Sequence, residues 1–305
     1  MNILHYEHMG VGCILSNAMN KLGHHSEVFS HVPHPFGFKA DREMQRWMNA
    51  PVLRKAFEGL ALRRYLHYDV VHCHDPNGLP AWFEKRTTAG LFQHYHDPHT
   101  ERPVNNYRSF VSLPMITTRV PKATWLPLPV DTEYFRRIKH EIPFNEIVIG
   151  YCDQKTDPRK EWYIPKPEIE RLASELSGLI ILKPLASIIP HSKIKQYYET
   201  LDVWVDRYGL DTYGFAAIEA ASMEVYVISD YDKSLVPDSC PFGTFAEPMS
   251  EQILHAMKYR IGLGLDCREY VQQYHNDRKI ARQCLDVYRD TLGSGERKGS
   301  TIATA

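Results

Sequence analysis

No stretch of this 305-residue sequence carries the roughly 20 consecutive apolar residues that cross a bilayer as a helix. An excess of charge is missing too: 36 Lys and Arg stand against 37 Asp and Glu, a formal net charge of -1. That balance removes any global attraction to nucleic acid or anionic lipid and leaves only local patches for such partners. Cysteine is sparse and unpatterned. The six, Cys13, Cys73, Cys152, Cys240, Cys267 and Cys284, form no C-x-x-C pair. The opening residues Met1 to Glu7 lack the basic region and long apolar stretch of a secretory leader. Reduced thiols and a cytoplasmic location are therefore expected. Repeats at solenoid periods are also lacking.

What is present is the composition of an ordinary globular chain, 43% hydrophobic and 24% charged, long enough for two domains. Short apolar strands alternate with helical stretches. Ile3 to Tyr6 reads as a strand, Met9 to Gly12 as a glycine turn, and Cys13 to Leu22 as a helix with Ile14, Leu15, Ala18, Met19 and Leu22 on one face. Gly23 ends that helix and Ser26 to Phe29 follows as a strand. This β-turn-α-β unit opens a Rossmann-like domain. Val52 to His67 and Leu79 to Lys85 read as helices. Strands are expected at Asp69 to His72, Gly90 to His94, Met115 to Thr118 and Ala123 to Leu126. Pro127, Pro129 and Pro143 mark a crossover, after which the alternation restarts. Its strands are Glu146 to Gly150, Leu179 to Leu182, Val203 to Val205 and Val225 to Ser229, and its helices Lys166 to Leu176, Lys193 to Thr200 and Tyr213 to Met223. Helices are expected again around Ser250 to Tyr259 and Cys267 to Leu292. The fold class is α/β. The expected organisation is a Rossmann-like domain over 1–130, a second over 131–265, a helix over 266–293 that returns to the first domain, and a disordered tail over 294–305.

The stretch Leu201 to Ser229 carries the most chemistry. Asp206 follows a strand, Asp211 precedes a helix, and Glu219 lies within that helix. The Tyr213-Gly214-Phe215 step opens the helix N-terminus to a ligand. Unpaired N–H groups and partial positive charge there suit a phosphate. A Glu on an apolar helix face with Phe215, Ala216 and Ile218 is costly unless it has a partner. Upstream, the strand ending at Gly150-Tyr151 leads into Asp157-Pro158-Arg159-Lys160, a basic pair placed to meet a diphosphate.

These features resemble the signature of glycosyltransferase family 4, whose members have the two-domain GT-B fold. The family places two acids eight positions apart, as Asp211 and Glu219 are. The resemblance implies that Glu219 binds the ribose of a nucleotide-sugar donor and that Asp211 lies near the transferred sugar. It implies that Arg159 and Lys160, with Tyr213, Gly214 and Phe215, serve the diphosphate. Gly10 and Gly12 match the first-domain loop that approaches donor phosphate or acceptor. Leu126 to Asp131 with Phe135 resembles the family's crossing segment. Gln93 to His99 with Arg102 resembles the family's strand-end His motif, which places His96 near the donor sugar. His72-Cys73-His74-Asp75 resembles a second strand end, so that His74, Asp75 and Arg102 fall on the acceptor side. The departures are Asp211 where the family has Glu, Asp97 for a Gly, Glu224 for a Gly and Tyr226 for a Pro.

The implied organisation is two Rossmann-like domains facing across a cleft. The implied reaction is retaining transfer of a hexose from a UDP- or GDP-sugar, without a bound metal or other cofactor. The acceptor stays open among glycan, lipid, protein and modified DNA. Two other readings stand beside this one. The departures at Asp211, Glu224 and Tyr226 fit a non-catalytic nucleotide- or glycan-binding protein of the same fold. The chain's 16 histidines include His72 and His74, and His94 and His96, alternating along two strands with His99 nearby, a pattern that also fits a Zn²⁺- or iron-dependent hydrolase.

Overall fold

Short runs of mostly apolar and aromatic residues, buried on both faces at the centre, form the middle strands of two parallel sheets. A computed structural model of the chain describes residues 1–7, 10–30, 33–44, 58–75, 78–96, 107–120, 122–138, 146–152, 165–206 and 211–294. It divides into two units, residues 1–129 with those from 277 onward, and residues 130–276.

In the first unit β1 (Asn2–Glu7) leads through Gly10 into α1 (Val11–Lys21) and β2 (His25–Ser30). The strands β3 (Arg42–Glu43) and β4 (Val70–Cys73) follow, then α2 (Ala81–Arg86), β5 (Gly90–Tyr95), β6 (Arg108–Val111) and β7 (Thr124–Trp125). All pairings are parallel, in the order β3-β2-β1-β4-β5-β6-β7. Every residue of β4 is buried, as expected of a central parallel strand covered on both faces. The order reverses between β1 and β4, which makes their carboxyl ends the place where doubly wound sheets take ligands.

The second unit runs β8 (Ile147–Cys152), α3 (Lys166–Glu175), β9 (Ile180–Leu185), α4 (His191–Tyr198), β10 (Val203–Val205), α5 (Phe215–Ser222), β11 (Tyr226–Ser229), β12 (Gly243–Thr244) and α6 (Met249–Tyr274). Its sheet is also parallel, in the order β12-β11-β10-β8-β9, with the reversal between β8 and β10. The fully buried Val203, Trp204 and Val205 of β10 lie at its centre.

The last helix, α7 (Asp277–Gly293), belongs to the first unit. Ile280, Ala281, Cys284, Leu285 and Tyr288 form its buried stripe, spaced for one helical face. Tyr288 packs on Phe92 at 4.6 Å between ring centroids, and Asp277 lies 3.8 Å from Lys21 of α1.

Several elements differ from the sequence expectation. Residues 115–118 form a 3-10 turn begun by Pro114, which has no backbone N–H to give a strand ladder. The short strands β3, β6 and β12 have no strong sequence signal. The stretch expected as one helix over 266–293 is cut at His275 and Asn276. There the His275 carbonyl accepts the Val130 N–H at 2.8 Å and the Asn276 amide donates to Thr132 Oγ1 at 2.7 Å. Conversely, α6 runs through Tyr259, where the backbone is non-helical (φ -126, ψ 16). No described helix is long and apolar enough to cross a membrane. All but the first residue of the tail expected over 294–305 lies outside the described residues.

Candidate functional site

The described chemistry of the second unit collects beyond β10, at the sheet's strand-order reversal. Asp206, directly after β10, is 4% exposed. Its Oδ2 accepts the Gly214 N–H at 3.1 Å and the Ser229 hydroxyl at 3.2 Å, which ties the entry of α5 to β10 and β11. Gly214 is the N-cap of α5 in extended conformation (φ -101, ψ -172), and no side chain caps the helix. A Cβ built on Gly214 would meet nothing within 4 Å. The missing side chain therefore leaves room in front of the first turn, where Phe215, Ala216 and Ala217 carry N–H groups that α-helical geometry leaves without carbonyl partners. Partial positive charge gathers at the same point.

Glu219 sits one turn further along α5, 6% exposed. Its Oε1 lies 2.9 Å from His191 Nε2, at the start of α4, and its Oε2 accepts the Tyr198 hydroxyl at 3.2 Å. Burial and the nearby Glu219 push the Tyr198 hydroxyl well above its ordinary range, so it stays a donor. A carboxylate offers about four lone-pair positions, and these two neighbours fix its orientation while using half of them. The side chain of Tyr134 stands beside His191, with 6.4 Å between ring centroids. Neither His191 nor Tyr198 belongs to a recognisable motif. The cost of an unpartnered Glu on a buried face was the signal that such neighbours exist.

Asp211 is exposed and left-handed (φ 50), a conformation that Asp tolerates better than most residues. Its carbonyl accepts the Asp232 N–H at 3.3 Å. Glu224, at the family's glycine position, is also left-handed (φ 61) and follows the C-cap Met223 of α5. Glycine is the usual residue at such helix ends. Here the Glu224 carboxyl lies 3.9 Å from Arg268 Nε. Tyr213 is a core residue: its hydroxyl pairs with Tyr270 at 2.7 Å and with His275 Nε2 at 3.1 Å, so only its backbone faces the entry to α5. Arg159 and Lys160 lie outside the described residues.

In the first unit, Gly10 makes the turn after β1 (φ 85), where a Cβ would come within 2.9 Å of the Phe38 ring. Gly12 is not part of that turn; it lies inside α1, buried. His74 and Asp75 follow β4, and His96 follows β5, at the sheet's own reversal and beside it. Both ring nitrogens of His96 are engaged, Nε2 with His74 Nδ1 at 2.9 Å and Nδ1 with Ser112 Oγ at 2.7 Å. Arg102 and Asp97 lie outside the described residues.

No protein-family model matches the sequence, and comparison with curated proteins finds no match. Solved structures do match. The sucrose-phosphate synthase of Thermosynechococcus elongatus superposes with a TM-score of 0.61 at 16% identity, over 96% of this chain and 100% of that one. The catalytic domain of starch synthase IV from Arabidopsis thaliana, bound to ADP and acarbose, gives 0.56 at 11% identity over 96% and 99%. The UDP-GlcNAc 2-epimerase of Neisseria meningitidis, bound to UDP-GlcNAc, gives 0.52 at 12% identity over 95% and 100%. What these proteins share with the chain is the build of two parallel α/β units, and by that likeness this protein has the GT-B fold of the nucleotide-sugar glycosyltransferases.

Proposed function

We propose that this chain is a retaining glycosyltransferase that moves a hexose from a nucleoside-diphosphate donor, a UDP- or GDP-sugar, to an acceptor. The observation that carries the reading is the pairing of an open first turn of α5 with a buried, oriented Glu219 on the same helix. The N–H groups of that turn meet the diphosphate. The remaining acceptor positions of Glu219 take the ribose hydroxyls. Negative charge grows on the leaving diphosphate as the glycosidic bond breaks, and preorganised amides and cations stabilise it. Arg159 and Lys160, assigned from sequence, supply the cations. Asp211 takes hydroxyls of the transferred sugar. The diphosphate needs no Mg²⁺ or Mn²⁺ in this scheme.

The solved neighbours include two synthases and one epimerase, so the test reads binding and reaction separately. A thermal-shift screen with UDP, GDP, ADP and their sugar conjugates is expected to single out one nucleoside diphosphate. A ligand at 100 times its Kd stabilises by about 2.7 kcal/mol. NMR of the matching donor with candidate acceptors then reads the anomeric configuration of the product. Binding with no turnover identifies a binding protein, epimerised donor identifies an isomerase, and the absence of any shift defeats the donor site itself.

A further inference from the structure

Three neighbouring parallel strands of the first unit bring histidines together. His5 of β1 pairs in register with His72 of β4, and the next strand, β5, brings His94 to the end of β4 where His74 follows. His5, His72, His74 and His94 are at most 1% exposed, and His96 is half-buried. The ring of His74 stacks on that of His96 at 5.2 Å, and His94 and His96 lie 4.0 Å apart. One nitrogen from each of His74, His94 and His96 lies within 4.8 Å of the others.

A neutral imidazole has one ring proton, so each hydrogen bond constrains where it sits. One assignment of protons gives each of the three rings an outer acceptor. His96 Nδ1 donates to Ser112 Oγ at 2.7 Å, His94 Nε2 donates to the same oxygen at 3.0 Å, and His74 Nε2 donates to His5 Nδ1 at 3.0 Å. That leaves lone pairs on His74 Nδ1 and His96 Nε2, 2.9 Å apart, and on His94 Nδ1, which is buried with no hydrogen-bond partner. Between those two nitrogens stands either a ring proton, which makes the contact a hydrogen bond, or a cation, which takes both lone pairs. Imidazoles whose far nitrogens donate to a hydroxyl or a second ring are also what a metal site uses to orient its ligands.

We infer that His74, His94 and His96 bind one Zn²⁺ or similar imidazole-seeking divalent cation, oriented by Ser112 and His5. Bonds of 2.0–2.1 Å in a tetrahedral site put ligand nitrogens about 3.4 Å apart, so His74 and His96 separate by roughly half an ångström to admit the ion. Three nitrogens leave one tetrahedral position for water or another oxygen ligand. The half-buried His96 marks the side of entry. The adjacent set His5, His72 and His74 is the poorer site, because it is fully buried and His72 Nδ1 is held by the Tyr288 hydroxyl at 2.5 Å. The inference stands whether or not the second unit takes a nucleotide sugar.

The test uses the untagged full chain, stripped with a chelator and shown by circular dichroism to be folded, then dialysed against Zn²⁺ with metal content measured. One equivalent per chain is expected, with a visible d–d absorption when Co²⁺ replaces Zn²⁺. His96→Ala is expected to abolish uptake, and Ser112→Ala to weaken it about 10- to 100-fold. His25→Ala, on an exposed residue outside the cluster, leaves it unchanged. A folded wild-type chain that takes up no Zn²⁺ overturns the inference and assigns the proton, not a cation, to the gap between His74 and His96. Uptake that survives His96→Ala overturns it as well. If His96→Ala does not fold, the Co²⁺ spectrum of the wild type decides, since surface-bound Co²⁺ lacks the intense tetrahedral band.

Discussion

Two glycines two residues apart on α6 are expected to respond in opposite directions to the same substitution. Gly264 is buried against the end of α5, and a Cβ there would lie 2.1 Å from the Glu224 carbonyl oxygen and 2.8 Å from its carbonyl carbon. Both atoms are backbone and have no rotamer to escape into. The surrounding turn is anchored by Arg268, whose Nη1 donates to the carbonyls of Phe135 at 2.9 Å and of Ser222, and whose Nη2 donates to that of Thr132 at 3.2 Å. Forcing a methyl into a packed site costs about 1–3 kcal/mol or more. Alanine in a helix returns about 1 kcal/mol relative to glycine. Gly264→Ala should therefore destabilise by about 2 kcal/mol. Gly262 is exposed, and a Cβ there meets nothing within 4 Å, so Gly262→Ala should gain up to about 1 kcal/mol. Urea melts of both variants beside the wild type measure the gap, about 3 kcal/mol, as shifted midpoints at constant slope. A Gly264→Ala variant as stable as the wild type, or the reverse order of the two, refutes the packing of α6 on the α5 end.

Three further outcomes are expected. Glu219→Gln places an amide between two donors, His191 and Tyr198, and loses a hydrogen bond of the charged kind worth about 1.5–3 kcal/mol. Nucleoside diphosphate affinity by calorimetry should drop about 10- to 100-fold, and an unchanged Kd defeats the ribose assignment. Gly214→Val fits the extended backbone and the open space, so the fold should keep its melting temperature while nucleotide affinity falls about tenfold or more. A variant that binds normally removes the diphosphate from that turn. Acid should destabilise the first unit. Burial pushes the His5 pKa down to about 3, and lowers those of His72, His74 and His94. The folded chain keeps these rings neutral, while the unfolded chain takes up protons below about pH 6.5. Stability present above that pH is lost as pH falls, by about 1.4 kcal/mol per pH unit for each such ring, continuing towards pH 3 for His5. Urea midpoints of the metal-stripped protein that stay level from pH 8 to pH 5 contradict the buried, neutral cluster.

The parallel sheets were legible because their central strands, such as Val70 to Cys73 and Val203 to Val205, are uniformly apolar or aromatic and sit between helical periods. The Asp206 to Glu219 segment was legible because its acids, glycine and helix start are contiguous. The partners of Glu219 were not. His191 and Tyr198 begin and end a different helix, α4, and only the sheet order brings α4 beside α5. The histidine network has the same character: His72 and His74 are visible as a pair, but His5 and Ser112 join them only through strand pairing. No strand forms at 115–118 because Pro114, with no N–H for a ladder, overrides the β preference of Ile116, Thr117 and Thr118. Two-residue strands such as β3 and β12 are set by the neighbour that they pair with, not by their own residues.

The return of α7 to the first unit makes that unit discontinuous in sequence, with the whole of 130–276 interposed. On the ribosome the first unit emerges early and waits. Until α7 appears, Phe92 and Phe110 lack the Tyr288 ring that covers them, and His72 lacks its hydroxyl partner. The second unit, uninterrupted, has all its strands as soon as residue 276 is out. Synthesis therefore favours closing the interposed unit first and completing the N-terminal one last, so a nascent chain stalled before Asp277 is one whose first-made half is still unsealed.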